Sequence, residues 1–540
     1  MSSPASAGRR SPDALNLAII LGSMLALYAV LTSQFLLPAL IERARVTIGT
    51  LTNRSLSGAL QLMLTGIMLH TLYVGGALLL WRAPASRAIS RLIWLGAILM
   101  ALALLWCYPV TSTDLFDYIF RARMAVIYDA NPYLALPNQF KSDPVYRYIG
   151  WPNAPSAYGP LWEIVSWLLA RAGGASLLRT VLIYKALAIA AFLLCGALIQ
   201  ATVREPRLKL VGSYLWLWSP LALWEFAAVG HNDGFLILAL LLALYAAQHE
   251  RFALAVLALV GGALFKFLPV IFIPLVMLAW LRRVEGGAGV WARRGRVVLL
   301  ALLLCLIPSV LLYAVYWDLP AGFARLGFGE QLSAIWQGRT TTLRNVAVRE
   351  GFLNAAPLAV VSYQLQAPAS LALINAVARA FGLPAATSND VRATLSTFGS
   401  ALLALGIIWQ SWHVWYRGRS LQTAFFGLML WYVVGSSQWF QPWYVLWALG
   451  LFALQPTRAG FSWLAVWALM AQASYLLQYI VLPNLKLSGQ TLQAQVYYVL
   501  LIYPLPLLVW LLLRYWHSRR GDRSRPRTSR LASGDEPGVS

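Results

Sequence analysis

Charge is scarce in this chain, and negative charge scarcer still. Charged residues make up 11% of the 540 positions, with 19 Asp and Glu against 42 Lys and Arg. A soluble domain is about a quarter charged, so a water-soluble enzyme of this size is excluded. Cysteine is nearly absent: Cys107, Cys195 and Cys305 all fall within apolar runs, which rules out a disulfide framework and a zinc site. The five histidines include no pair at helical ligand spacing, and no loop is rich in acids, so no metal centre is expected. No Gly-rich loop precedes Lys and Ser or Thr, which excludes ATP-driven work. The net charge of +23 would suit nucleic acid, but the arginines sit between apolar runs and in the C-terminal tail rather than in a stripe interleaved with aromatics. No internal repeat and no second domain are visible.

What the chain has in abundance is long apolar sequence. Hydrophobic residues reach 60%, and fourteen apolar runs follow one another from about 15–38 to about 494–515. A bilayer-crossing helix needs ~20 such residues. The expected fold is therefore an all-α polytopic membrane protein, a bundle of about 12–14 transmembrane helices over residues 1–516. Residues 517–540, rich in Arg, Ser, Gly and Pro, read as a disordered basic tail. Basic clusters mark cytoplasmic loops. Arg9 and Arg10, then Arg82, Arg87 and Arg91, then Arg204, Arg207 and Lys209, and the tail beyond Arg514 place both termini in the cytoplasm. Arg43, Arg45 and Arg54 run against this pattern. Two long segments, about 110–176 and 317–394, then fall on the extracytoplasmic side, too apolar for free loops and expected to contain interfacial helices.

The polar residues gather at that side. Asp114 and Asp117 are three apart, so a helix would present them on one face; they suit proton abstraction, or else an N-cap with a first-turn acid. Asn131-Pro132-Tyr133 and Tyr158-Gly159-Pro160 are turn signals. His231, Asn232 and Asp233 stand side by side at a tight turn, able to bind a sugar or to cap a helix start. Lys266, just before Pro269, wants an anion such as a phosphate, or snorkels to the interface. Arg339 and Arg344 are suited to gripping phosphate. Gln441, Trp443 and Tyr444 offer amide and aromatic faces to a sugar, or belong to an interfacial belt.

Taken in order, Ser112-x-Asp114-x-Phe116-x-Tyr118, Asn131-Pro132-Tyr133, Tyr158-Gly159-Pro160, Gly230-His231-Asn232-Asp233, Lys266 with Pro269, and Gln441-Pro442-Trp443-Tyr444 resemble the polyprenol-phosphate-mannose-dependent mannosyltransferases of the GT-C superfamily. The pattern spans about residues 110–450. It departs from many relatives at Thr113 and at Arg121-Ala122-Arg123. The resemblance implies a GT-C-like bundle and an inverting transfer of a sugar, mannose first, from a polyprenyl-phosphate donor to a hydroxyl of a glycolipid, polysaccharide or protein. It implies Asp114 as the base, with Asp117 positioning substrate or serving as a second acid. Lys266, Arg339 and Arg344 would face the donor phosphate, and Tyr158, His231, Asn232, Asp233, Gln441, Trp443 and Tyr444 the substrates. No cofactor is expected beyond the lipid-linked sugar itself. A lipid or sugar-lipid transporter is the second reading and a non-catalytic lipid-presenting partner the third; a transporter would place its polar site at the midplane, on paired broken helices.

Overall fold

The computed structural model describes residues 12–316, 354, 356–487 and 491–523. Its regular structure is helical; among the described residues the one β-like feature is an isolated bridge between Leu36 and Cys107. The helices used below are α1 (Pro12–Gln34), α2 (Leu56–Leu80), α3 (Arg87–Leu105), α4 (Asp114–Ile127), α5 (Pro160–Gly173), α6 (Leu177–Thr202), α7 (Asp233–Gln248), α8 (Phe252–Phe265), α9 (Val290–Ala314), α10 (Ser388–Tyr416), α11 (Val445–Phe452) and α12 (Arg458–Leu476). Ser55, Ser86, Ser176 and Thr457 start α2, α3, α6 and α12 by accepting a hydrogen bond from a first-turn amide, which satisfies one of the free N–H groups at each helix start.

Eight helices among the described residues are long and apolar enough to cross a membrane: α1, α2, α3, α6, α9, α10, the unit Arg458–Asn484 and the unit Leu492–Leu512. A ninth would be the pair Pro357–Gln366 and Pro368–Ala380, bent by 74°. Pro368 sits at that bend, where its ring cannot continue the preceding helix. Several runs expected as full spans are shorter. Helices α7 and α8 have 16 and 14 residues, so at 1.5 Å per residue they reach only ~24 and ~21 Å, against ~30 Å of hydrocarbon. They pack on each other, and α7 also packs on α6 and α11. Helix α7 is buried on nearly every side because its faces meet protein. The final helix, Pro504–Arg523, runs through the boundary at 516 where the tail was expected to begin.

The segment 110–176 is a built cap, not a loop. Helices α4 and α5 lie in it and pack together. Asp143 staples its middle: the fully buried carboxylate accepts hydrogen bonds from Arg123 Nη2 at 2.9 Å, Arg123 Nε at 3.1 Å, Tyr128 Oη at 3.2 Å and the Val145 amide at 2.8 Å. Buried Lys185 of α6 ties this end of the bundle to α3. Its ammonium donates to the carbonyls of Leu104 (3.1 Å), Leu105 (2.7 Å) and Cys107 (2.5 Å). Those carbonyls lie at the helix end, where the partial charge is negative and a cation is favoured.

Asp143→Ala strips Arg123 of its partner and leaves a buried amide unbonded, a change that costs ~3–5 kcal/mol when a buried pair is broken. Limited proteolysis should then cut within 136–153 several-fold faster, with the spans intact; an unchanged cleavage rate would show that Asp143 does not hold the cap.

Candidate active site

Two π-helical turns lead into the site. The first, Trp224–Val229, carries Glu225 into an otherwise apolar run and ends at Gly230, whose φ of 86° turns the chain left-handed. Gly230 and His231 amides both return to the Glu225 carbonyl at 3.0 Å. A side chain at Gly230 would crowd Lys185 and Leu115, so the tight turn and the packing both call for glycine. The second π turn, Trp431–Ser436, delivers the loop that carries Gln441 and Trp443. Such turns break the regular helix and are frequent at functional sites.

At this turn an imidazole is held between acids. His231 Nδ1 lies 2.9 Å from Glu225 Oε2, and Glu225 Oε1 accepts a hydrogen bond of 2.8 Å from Tyr475 of α12. Glu225 and His231 have no exposed surface. On its other side His231 Nε2 faces Asp114 Oδ2 at 3.7 Å, beyond hydrogen-bond reach. Trp443 stacks on the ring, with centroids 4.0 Å apart. Burial pushes the His231 imidazole down, but the hydrogen bond and charge of Glu225, with the charges of Asp114 and Asp233, lift it above its ordinary value.

Asp114 and Asp117, expected to act together, have different surroundings. Asp114 opens α4, its amide held by Ser112 Oγ at 3.1 Å. Its carboxylate keeps 17% exposure and accepts no hydrogen bond among the described residues, so it is not spent on capping. Asp117 is buried and fully engaged. It accepts from the Gly150 and Trp151 amides at 3.0 Å each, from Thr113 Oγ1 at 3.1 Å and from Arg121 at 3.4 Å. Burial pushes its carboxyl up to about 6 against the pull of Arg121 and the two amides. In this geometry Asp117 pins the returning chain at 150–151 beneath Asp114 rather than offering a free oxygen.

Lys266 finds an anion inside the protein. Its ammonium bonds Asp233 Oδ1 at 2.8 Å, and the same oxygen accepts from Trp447 Nε1 at 2.8 Å. The lysine keeps 23% exposure and lies within 6.0 Å of the ring centres of Tyr158, Tyr444 and Trp447, distances at which rings attract a cation. The Gly159 amide donates to the Phe265 carbonyl at 3.0 Å, and Pro160 starts α5. A Cβ at Gly159 would come within 2.1 Å of the Leu264 carbonyl oxygen. The Tyr158-Gly159-Pro160 turn therefore fixes the end of α8 and with it Lys266. Asn131-Pro132-Tyr133 supports the same turn, Tyr133 Oη donating to the Tyr158 carbonyl at 3.1 Å. Gln441 is buried at the entry to the Pro442–Tyr444 turn, and Tyr444 stacks on Trp447 with centroids 3.7 Å apart. Arg339 and Arg344 lie outside the described residues.

Four buried polar atoms here have no hydrogen-bond partner among the described residues: His231 Nε2, Asn232 Nδ2, Asp233 Oδ2 and Trp443 Nε1. Buried polar atoms are nearly always bonded, and leaving each unmade costs ~1–3 kcal/mol. Three donors or switchable nitrogens and one carboxylate oxygen, beside an aromatic face, suit a polyhydroxyl ligand. No group of three metal-binding side chains occurs among the described residues. The residues not singled out from the sequence are Glu225, Tyr475, Trp447 and Lys185; Glu225 and Lys185 were visible as lone charges inside apolar runs, whereas Tyr475 and Trp447 carry no local signal.

Residues 15–282 match the model of the family described as alpha-(1->6)-mannopyranosyltransferase, N-terminal domain. The matched stretch takes in Asp114, Glu225, His231, Asp233 and Lys266. No curated protein and no solved structure matches the chain.

Gly159→Ala forces the end of α8 away from the turn, a strain of ~1–3 kcal/mol for an overpacked site. Thermal unfolding in detergent should show a midpoint lowered by several degrees, while Gly286→Ala, in open space at an exposed loop and without a left-handed backbone, should move it by less. Equal midpoints for Gly159→Ala and wild type would contradict the close approach.

Proposed function

We propose that the chain moves a mannosyl unit from a polyprenyl-phosphate donor to an acceptor hydroxyl on the extracytoplasmic side of the membrane, on the footing that its residues 15–282 resemble the alpha-(1->6)-mannopyranosyltransferase family. The family match supports a membrane glycosyltransferase that handles mannose. The donor, the side and the roles of residues are our reading. The observation that carries it is the convergence of four unpartnered buried polar atoms around one partly exposed carboxylate, Asp114.

The chemistry follows from that arrangement. The acceptor O–H bond breaks as its oxygen attacks the sugar C1, and Asp114 takes the proton as general base. The bond from C1 to the phosphate oxygen breaks on the opposite face, and the pair of electrons leaves with the lipid phosphate. Phosphate is already a competent leaving group, so the protein's task is to neutralise its charge as the bond opens. Lys266, partly exposed and bonded to Asp233, is our candidate for that task, sharing its charge between Asp233 and the departing phosphate; Arg339 and Arg344 remain candidates by sequence. A single displacement inverts C1, so an alpha product requires a beta-linked donor. One accessible carboxylate fits that course better than retention, which needs a second as nucleophile, since Asp117, Glu225 and Asp233 are each held by other groups.

A cleft supports the lipid-linked donor over a water-soluble one. It lies between α1, α2 and α12 and is lined by Leu31, Phe35, Leu62 and Leu476 together with Thr111 and Tyr475. Tyr475 is the residue that holds Glu225. A small apolar cleft that reaches the partner of Glu225 is a candidate entry for the first part of a prenyl chain. A transporter is disfavoured because the polar residues of the site meet at helix ends, and among the described residues the one bent helix pair, Pro357–Gln366 with Pro368–Ala380, carries none of them.

Purified protein given a synthetic beta-mannosyl polyprenyl phosphate and a mannose-terminated acceptor should release lipid phosphate. Asp114→Asn should lower kcat by at least 10²-fold, the scale of general-base loss, with donor binding retained. Near-wild-type turnover by that variant would remove Asp114 from its role. Leu62→Trp, which fills the cleft, should raise KM for a long-chain donor more than for a short-chain one; equal KM values would place the lipid elsewhere.

A further inference from the structure

Four carboxylates, Asp114, Asp117, Glu225 and Asp233, meet two permanent cations, Arg121 and Lys266, in this site. Arg121 is spent on Asp117 and Lys266 on Asp233. Among the described residues, Asp114 and Glu225 are therefore left with the imidazole between them as their one paired cation. A second and third carboxylate in a poorly hydrated site would ordinarily drive one of them to take up a proton, and a protonated Asp114 cannot act as a base.

We infer that Glu225 is a positioning residue, which acts through His231 to keep the Asp114 carboxylate ionised and aimed at the acceptor. This rests on the reading of Asp114 as the base. Glu225 Oε2 holds Nδ1–H of His231, which fixes the ring and turns Nε2 toward Asp114. A neutral ring with that tautomer would point a lone pair at a carboxylate oxygen, which is repulsive. A ring protonated on both nitrogens instead places an N–H there and supplies the missing positive charge. Three features of the fold favour that form. Glu225 and Asp114 flank the ring at 2.9 and 3.7 Å from two different elements, and the charge of Asp233 adds to theirs. The face of Trp443 lies on it, and aromatic faces attract cations. Tyr475 bonds the far oxygen of Glu225, so the acid cannot rotate away. Other groups near the ring, Tyr118 at Asn232 and the Lys266–Asp233 pair, are already bonded to each other or to neighbours. His231 moves no proton in the reaction; Asp114 takes the acceptor's proton and releases it to water through its own exposed edge. The arrangement parallels a carboxylate behind a histidine in other sites, where the acid sets the tautomer and raises basicity.

The state of the ring is measurable without turnover. NMR of protein labelled in its histidines, with the His231 signal assigned by its loss in His231→Asn, should give a midpoint above the ordinary 6.5 of free histidine. Glu225→Gln removes the charge while its amide oxygen still accepts from His231 Nδ1–H and its amide N–H donates to Tyr475 Oη in place of the bond that Tyr475 gave, and the midpoint should fall below that value. In the transfer assay Glu225→Gln should lower kcat ~10–100-fold, the usual effect of losing a group behind a functional residue, with donor KM unchanged and the acid limb of the pH–rate profile moved to higher pH. Glu225→Asp should restore part of the rate and return the limb, and Tyr475→Phe should move it part of the way. A role in folding alone would reduce the amount of active protein and leave the limb in place. An unmoved midpoint in Glu225→Gln overturns the inference, and so does a moved midpoint with an unmoved limb. Failure of wild-type protein to transfer from any lipid-linked sugar would instead overturn the functional reading, while the NMR result would still decide the charge of His231.

Discussion

Carboxylates cannot be sunk among apolar helices without something to answer their charge, and this chain brings three of them to one imidazole. Everything around His231 follows from meeting that demand. The π turn at 224–229 lowers Glu225 into the bundle, Gly230 reverses the chain in a left-handed turn, and Tyr475 crosses from α12 to hold the acid. Lys266 answers Asp233, and Arg121 answers Asp117. What is left over, the exposed edge of Asp114 and the unpartnered atoms of Asn232, Asp233 and Trp443, is the part of the network open to a substrate.

The rest of the molecule serves to hold these pieces in place. Buried Lys185 seals the end of α3 directly before the strand of chain that leads to Asp114. The Tyr158-Gly159-Pro160 turn pins the end of α8, where Lys266 sits. Asn354 ties the loop before Trp443 by accepting from the Phe440 amide at 2.9 Å and donating to the Gln438 carbonyl at 2.8 Å. Short helices α7 and α8 end where the polar residues begin, so the site lies within the bundle at a helix end instead of on a free loop.

Much of this was legible in the sequence. The apolar runs marked the helices because each of the long ones exceeds what a buried soluble helix needs, although length alone could not separate full spans from short helices enclosed by protein, as α7 and α8 show. Motif order pointed to Asp114, His231, Asp233, Lys266 and Trp443, and the fold brings them together. Asp117 illustrates the limit: three-residue spacing puts it near Asp114 but says nothing of the amides at 150 and 151 that occupy it. Lys266 was read as wanting an anion such as a phosphate; the anion it meets in the fold is Asp233, whose approach depends on the pairing of α7 with α8. Glu225 and Lys185 stood out only as charges in apolar surroundings, and Tyr475 only through a contact 250 positions away.

The central claim is that the unpartnered atoms beside Asp114 are the seat of the donor sugar. A structure of the Asp114→Asn protein with an intact beta-mannosyl polyprenyl phosphate tests it most directly. The account predicts sugar hydroxyls on Asp233 Oδ2 and Asn232 Nδ2, C1 toward position 114, and the phosphate beside Lys266. A sugar bound elsewhere, with those atoms still unbonded or satisfied by protein groups, would contradict it.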